Sequence, residues 1–502
     1  MSSAPITASL LYDLAQCPRR VELDMFRDPT EREPISAFVE MLWRRGAAWE
    51  AEVLADAGAD ILDLSGLAPD VREARTLEAM QAGAPLIYGG RITAGDRVGV
   101  PDLLRRTGDG YLPIDIKSGR GEEGGGDEGD GKPKLHYAVQ LALYVDVLQT
   151  LGFGAGLRGA IWDVRGEEVD YLLDAPRGAR NPSTLWDAYL ELLAQARDIV
   201  ARRTVTRPAA NAGCKLCHWR GVCTRELEAA GDLTLIPTLG RALRDEVSAT
   251  IPNLTALASA DLTPFITESR TVFRGVGAER LRLFQLRARL LCDPSARPLL
   301  RVPVDLPTPR VDLFFDIEVD PLRDFTYLHG VLVRRGGDNS AETFHAFYAD
   351  EVSPKGERDA FAQAYACLRA EPDAVIWYYS KYERTLYRKL QKAYPDVCSP
   401  DDIERLFDPA RAVDLYNDVV TRATEWPTHD HSIKTLAKYL GFRWRDTDPS
   451  GAASIEWFDR WTRERDPAIR QRIVDYNEDD CRATRVLLDG IRQLAPPADT
   501  AA

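Results

Sequence analysis

A chain of 502 residues is too long for one ordinary domain, and about three are predicted. Its 45% hydrophobic and 28% charged residues describe globular domains with packed cores, and no run of about eighteen apolar residues is present to span a bilayer. A formal net charge of −14 argues against a protein that coats nucleic acid by bulk electrostatics, while leaving room for a locally basic groove or for acids that hold cations.

The N-terminal stretch MSSAPITASLLYDLAQCPRR lacks the basic-then-apolar order of a secretory signal, so a cytoplasmic location is expected. Residues 8–60 read as helical. Ser9 to Leu14 leads into Cys17-Pro18-Arg19-Arg20, and a longer amphipathic stretch from Ala37 to Ala55 carries Trp49 and Glu50.

Tyr88 to Gly119 reads as three short strands joined by two turns, Ala94-Gly95-Asp96 and Thr107-Gly108-Asp109-Gly110, both rich in residues that tolerate positive φ. Asp102 is expected in the second strand. Asp115 and Lys117 are expected in the third, two apart and therefore on one face. Two carboxylates and an ammonium at one spot suit metal-assisted phosphodiester cleavage, with Mg²⁺ or Mn²⁺ on the acids and the lysine offsetting charge.

Val100-Pro101-Asp102 and Ile114-Asp115-Ile116-Lys117 resemble the two central motifs of the RecB-type nucleases of the PD-(D/E)XK superfamily. The resemblance extends to Arg45-Gly46-Ala47-Ala48-Trp49-Glu50. There the family's glycine precedes a His-Glu pair, so Glu50 is implied as a ligand and Trp49 stands in place of the histidine. Seven glycines and five acids between Gly119 and Lys134 predict a mobile loop. Tyr137 to Leu151 reads as an amphipathic helix on which Gln140 and Tyr144 share a face, matching the Q-x-x-x-Y motif through which the family contacts substrate or metal-bound groups. A hairpin over 159–173 and a helix from Leu185 to Arg202 follow.

Cys214, Cys217 and Cys223 form C-x₂-C-x₅-C on a compact turn. Spacing leaves two readings: zinc on these three thiolates and His218, or a [4Fe–4S] cluster that also takes Cys17. An early cysteine, a nuclease core, then C-x₂-C-x₅-C resembles the iron–sulfur RecB-type nucleases. The resemblance implies the cluster, pinning the N-terminal helix to the end of the domain.

From Asp232 the chain turns basic, with nine arginines against seven acids over 232–300. Leu235 to Arg244 followed by Ile251 to Leu257 reads as a helix–hairpin–helix unit that presents backbone N–H groups to a phosphate, with a weaker copy from Arg274. Thr238 replaces the usual turn glycine, and a helical linker is the other reading. The proline-rich stretch 296–309 is taken as a domain boundary.

Val311 to Val319 is apolar on both sides yet carries Asp316 and Glu318, acids that are costly there without a metal or partner. Strands Thr326–Arg334, Thr343–Tyr348 and Ala374–Tyr379 are predicted next, the last leading to Ser380-Lys381-Tyr382-Glu383. A helix opening at 473–484 places Tyr476 and Asp480 one turn apart. This order resembles the DEDD exonucleases of the RNase H-like fold that carry a tyrosine before the last aspartate. The resemblance implies metal ions on Asp316, Glu318, Glu383 and Asp480, with Tyr476 positioning water for 3′-to-5′ hydrolysis. Glu383 and Ser380 stand where the family has aspartate and asparagine. Asp414 is a further acid, and residues 431–441 are expected to be mostly architectural.

Together these readings predict an α/β multidomain protein. A PD-(D/E)XK restriction-endonuclease-like core with an iron–sulfur staple spans 1–228, a helical, helix–hairpin–helix-like middle 229–300, and an RNase H-like mixed-sheet domain 301–495. The expected function is metal-dependent hydrolysis of single-stranded or end-bearing DNA, with RNA open for the C-terminal domain. The alternatives are a nucleic-acid-binding scaffold with inactive sites, or a subunit beside a helicase or another repair or defence protein, since no G-x-x-x-x-G-K-[ST] signature is present.

Overall fold

The computed structural model describes residues 4–56, 61–124, 131–178, 181–447 and 449–494. They fall into two compact units, Met1–Pro208 with Ala212–Cys223, and Ala209–Asn211 with Thr224–Ala502.

The first unit is built on a six-stranded mixed sheet in the order Glu168–Leu172, Arg158–Trp162, Gly110–Ile116, Leu103–Thr107, Leu86–Tyr88, Ile61–Asp63. Arg158–Trp162 runs parallel to Gly110–Ile116, and the helix Leu135–Thr150 makes the crossover that a parallel pair requires. That helix begins two residues earlier than its sequence suggests, and it is not amphipathic. Ten of its residues, Tyr137 to Leu148, are buried on all sides, because it lies between the sheet and the helices Ala8–Gln16 and Leu185–Val200. The opposite face of the sheet, with Leu103, Leu112, Ile114, Ile116 and Ala160, is covered by Trp49, Val53 and Leu54 of the helix Ala37–Asp56.

The segment expected as three strands holds five, in two sheets. Ile92–Ala94 and Arg97–Gly99 leave the main sheet and pair with each other and with Ile6–Thr7. Gly95 and Gly108 take positive φ at the two turns, as the turn chemistry predicts. Of the glycine-rich loop, Glu122–Glu123 and Lys132–Pro133 pair as a short ladder, and residues 125–130, on which the expected mobility falls, lie outside the described residues.

The second unit holds a five-stranded sheet in the order Thr343–Tyr348, Phe325–Arg335, Val311–Asp320, Val375–Tyr378, Ala412–Asp414. The first three strands are antiparallel and the last two are added in parallel. Helices Pro354–Arg369 and Tyr382–Ala393 build the core on one face. The other is covered by the helix Pro467–Arg492, with Ile433–Tyr439 and Gly451–Glu464 against it. The acid-bearing final element is thus a 26-residue helix with Tyr476 and Asp480 in its middle, rather than at an opening turn.

Helices Arg241–Ser248, Leu254–Ser259 and Ala278–Cys292 share an apolar core and belong to this same unit. Gly240, Asn253 and Gly277 are their N-caps. The proline-rich stretch lies inside the unit. Leu299–Leu300 pairs with Thr424–Glu425, and the fully buried Glu425 is clamped by Arg287 at 2.7 and 3.0 Å and by Arg301 at 2.9 Å.

Candidate active sites

In the first unit, Asp102 stands one residue before the strand Leu103–Thr107, not within it. Pro101 has no N–H to extend the ladder, and the Asp102 side chain takes up the neighbouring donor: the Ile116 N–H bonds its Oδ2 at 2.7 Å. Asp115 is 1% exposed on Gly110–Ile116, and Lys117, one residue past that strand, sets its Nζ 3.1 Å from Asp115 Oδ2. The i, i+2 spacing therefore does bring the two side chains to one face.

Burial, and then the Asp115 charge, raise the Asp102 carboxyl, with Glu50 adding. Burial works against the Lys117 charge, but Asp115 and Asp102 outweigh it and hold the ammonium protonated. Glu50 reaches the same place from the covering helix, accepting from Tyr88 Oη at 2.9 Å. Its neighbour Trp49 points into the sheet-covering core. Tyr144 is fully buried beside Asp115, Asp102 and Gln140, and burial and the two acids keep its phenol protonated. It fits because Gly99 leaves room: a Cβ there would lie 2.7 Å from Tyr144 Cδ1. Gln140 Oε1 is buried without a hydrogen-bond partner. The six sequence-named residues, Glu50, Asp102, Asp115, Lys117, Gln140 and Tyr144, lie in one neighbourhood, although the three acids are more widely spread than the 4.8 Å group found in the second unit.

Three residues the sequence did not single out join them. Lys117 Nζ lies 5.6 Å from the centre of the Tyr137 ring, and His136 packs edge-on against Tyr137 and Tyr12. Burial, Lys134 and Lys117 depress His136 to about 4, which keeps it neutral.

None of the four cysteines named as ligands is in a disulfide, and all are half-buried. Cys17 occupies the break between helices Ala8–Gln16 and Pro18–Phe26, where Pro18 starts the second helix. Burial raises the Cys217 thiol, and Cys17 and Cys214 add to the rise, which places the three within electrostatic reach. Cys217 and Cys223 both pack on the Leu23–Trp219–Val222 cluster, so the second helix and the C-x₂-C-x₅-C turn meet there. His218 is tied elsewhere: its Nε2 lies 2.8 Å from Asp24 Oδ1, which also accepts from Trp219 Nε1.

In the second unit, the central strand carries two kinds of acid. Asp312 is neutralised by Arg334, with a second bond from Trp377 Nε1 at 2.9 Å, and is structural. Among the described residues, Asp316 and Glu318 have no such arginine. Together with Asp480 they form the group of three whose ligand atoms lie within 4.8 Å of one another, the one such His, Cys, Asp or Glu cluster among the described residues. Burial and then Asp480 raise both Asp316 and Glu318 above the usual carboxylate range. Such a set is stabilised by a cation placed between the oxygens.

Each acid is held in place. Asn477 Nδ2 donates to Asp316 Oδ2 at 2.7 Å, Tyr327 Oη donates to Glu318 at 3.3 Å, and Trp444 Nε1 donates to Asp480 Oδ1 at 2.7 Å. Glu383 lies outside the group of three, bonded by Ser380 Oγ at 3.2 Å and pushed by burial to about 8. It still adds to the rise at Asp316. Asp414 caps the segment after its strand, accepting from Asn417, and faces Glu383.

The helix Ile433–Tyr439, expected to be architectural, delivers Lys434 to Tyr476 Oη at 2.7 Å and to both Asp480 oxygens at 3.3 Å. No acid motif points to Lys434, Asn477 or Trp444. Only the tyrosine and aspartate they serve carry a spacing signal.

Residues 8–224 match the PD-(D/E)XK nuclease superfamily, and residues 313–491 match the RNase H superfamily. No curated protein matches the chain. No helix among the described residues is long and apolar enough to cross a membrane.

Proposed function

We propose that this chain, which joins a PD-(D/E)XK superfamily region to an RNase H superfamily region, is a metal-dependent DNA nuclease with two hydrolytic sites that acts on single-stranded or end-bearing DNA. The observation that carries the reading is the convergence of Asp316, Glu318 and Asp480, contributed by a strand and a helix about 160 positions apart, on one cation-sized space.

At the first site Asp102 and Asp115 would hold Mg²⁺ or Mn²⁺, with Glu50 from the covering helix. Asp316, Glu318 and Asp480 would hold it at the second, with Glu383 alongside. When bound, the ion supplies a Lewis acid and an activated water. Lys117, fixed against Asp115, offsets charge that builds on the scissile phosphate. The unpaired Gln140 Oε1 is free to accept from substrate or water, while the Tyr144 O–H beside it donates to the Val100 carbonyl at 3.3 Å. At the second site Tyr476 aims the attacking water, while Asn477, Tyr327 and Trp444 keep the carboxylates in register.

The cysteine set supports a structural [4Fe–4S] cluster on Cys17, Cys214, Cys217 and Cys223. His218 gives its Nε2 to Asp24, so only its Nδ1 could serve as the zinc reading's fourth ligand. A tetrahedral zinc needs sulfurs about 3.8 Å apart, the edge set by 2.3 Å bonds. No three of these sulfurs lie within 4.8 Å of one another. The cluster would staple the second helix to the 214–223 turn.

Incubation of end-labelled single-stranded DNA, duplex DNA and RNA with protein and Mn²⁺ tests the function. Lys117→Ala should remove one cleavage activity and Asp316→Ala the other. A nucleic-acid-binding scaffold, or a subunit of a larger repair or defence assembly that includes a helicase, is the second reading, favoured by Trp49 packing into the core and by Glu383 lying outside the carboxylate triad. Tight binding with no metal-dependent cleavage would establish it, and cleavage of RNA alone by the second site would make that domain an exoribonuclease.

A further inference from the structure

Lys434 has an environment unlike that of the other cations around the second site. Arg334 is spent on Asp312 and Asp489, Arg445 on Asp475, Glu478 and Asp479, and Arg323 on Asp320 and Asp459. Lys434 is instead aimed at the carboxylates that form the cation-sized space, and Asp316 and Glu318 both feel its charge. Its ammonium lies 4.8 Å from the Tyr476 ring centre and 5.6 Å from that of Trp444, so aromatic faces fix it laterally. Ser432 caps the helix that carries it, accepting from the Thr435 N–H.

The 2.7 Å contact with Tyr476 is shorter than the 3.3 Å contacts with Asp480, so the phenol is the closer partner. An ammonium has three donors and no acceptor. The Tyr476 oxygen must therefore accept, and the tyrosine's own O–H turns to Asp480, with which it shares a hydrogen bond. A phenol held in this way has one rotamer about its C–O bond favoured over the rest. A tyrosine that positions water needs that constraint.

We propose that Lys434 is a positioning residue of the second site, holding the Tyr476 oxygen beside Asp480, at the place from which the tyrosine orients the attacking water. This rests on the reading of that site as hydrolytic. A loss of orientation of about 1 Å is worth up to about 100-fold in rate.

The test uses the full chain carrying Lys117→Met, so that cleavage reports the second site, with Mn²⁺ and an end-labelled single strand. Lys434→Met should lower kcat by roughly 10- to 100-fold and leave KM within about twofold. Mn²⁺ binding, read by calorimetry, should persist at wild-type stoichiometry. Lys434→Arg should recover part of kcat. Adding Lys434→Met to Tyr476→Phe should cost less than about twofold more, because the lysine has no phenol left to hold. Lys434→Gln, which keeps a donor, serves if the methionine variant does not fold. Full additivity of the two substitutions would show that Lys434 acts independently of Tyr476 and overturn the proposal. An unchanged kcat in Lys434→Met would overturn it too, leaving the lysine as a counter-ion of the metal-free protein. Parent protein that binds Mn²⁺ without cleaving would sink the hydrolytic reading itself, and this inference with it.

Discussion

Gly330 is the position at which a single methyl group should disable the second site. It lies directly across the ladder from Asp316, and Asn477 descends from the final helix onto it. A Cβ at residue 330 would collide with Asn477 Oδ1 and come within 2.9 Å of Asn477 Cγ and 3.0 Å of Phe344 Cε2. Asn477 is fully buried, so it cannot swing into solvent, and turning it breaks its bond to Asp316. Overpacking a core costs about 1–3 kcal/mol. Loss of the hydrogen bond to Asp316, whose carboxyl is raised by burial in the metal-free protein, adds about 0.5–1.5 kcal/mol. Gly330→Ala should therefore destabilise the second unit by about 1.5–4.5 kcal/mol, a drop in melting temperature on the order of 10 °C. Calorimetric melting of the metal-free protein checks the stability, and Mn²⁺ titration together with exonuclease assay in the Lys117→Met background checks the site. Asn477→Ala added to Gly330→Ala should restore much of the melting temperature but not the activity, since the clash goes and the Asp316 bond stays lost. A Gly330→Ala protein that melts and cleaves like its parent would refute the reasoning.

Three other outcomes follow from the geometry. Thr238 sits at φ 69° in the position where a helix–hairpin–helix turn has glycine, and its hydroxyl is 3.1 Å from Arg287 Nη1. Relief of left-handed strain, about 1–2 kcal/mol, should offset the lost bond in Thr238→Gly, while Thr238→Ala keeps the strain and should be less stable than Thr238→Gly by about 1–2 kcal/mol in denaturant titration. Arg287→Ala leaves the buried Glu425 with Arg301 alone and should cost about 3–5 kcal/mol in denaturant titration, whereas replacing both Arg287 and Glu425 by apolar residues of similar volume should cost less. Glu383 has a folded pKa raised by burial from 4.5 to about 8, so its contribution to the metal-free fold is complete at low pH and is lost as pH rises through about 8. In chelator, the protein should melt higher at about pH 6 than at about pH 9, and Glu383→Gln should flatten that difference; an identical slope in the variant would count against it.

Much of the first site is legible because its logic is local. Asp115 and Lys117 are two apart on a strand, Gln140 and Tyr144 four apart on a helix, and both spacings bring side chains to one face by backbone geometry alone. The same holds for Tyr476 and Asp480, and for C-x₂-C-x₅-C. Asp102 is found from its Val-Pro-Asp neighbours, but its placement outside the strand depends on a bond to Ile116 across the sheet. The helix after Lys117 shows an apolar period, yet how many of its faces are covered depends on what else packs there.

The sequence by itself determined which residue types could seat divalent ions and which short segments present them together, because strand and helix periodicity act over two to four residues. Tertiary structure decided which acids are neutralised and which are left open. Asp312 and Asp316 sit four apart in one strand, and only the arrival of Arg334 from the neighbouring strand makes the first structural. It also decided the roles of Lys434, Asn477, Trp444 and Gly330. A burial environment and a hydrogen-bond partner contributed from 36 to 161 positions away leave no periodic trace in the chain that receives them.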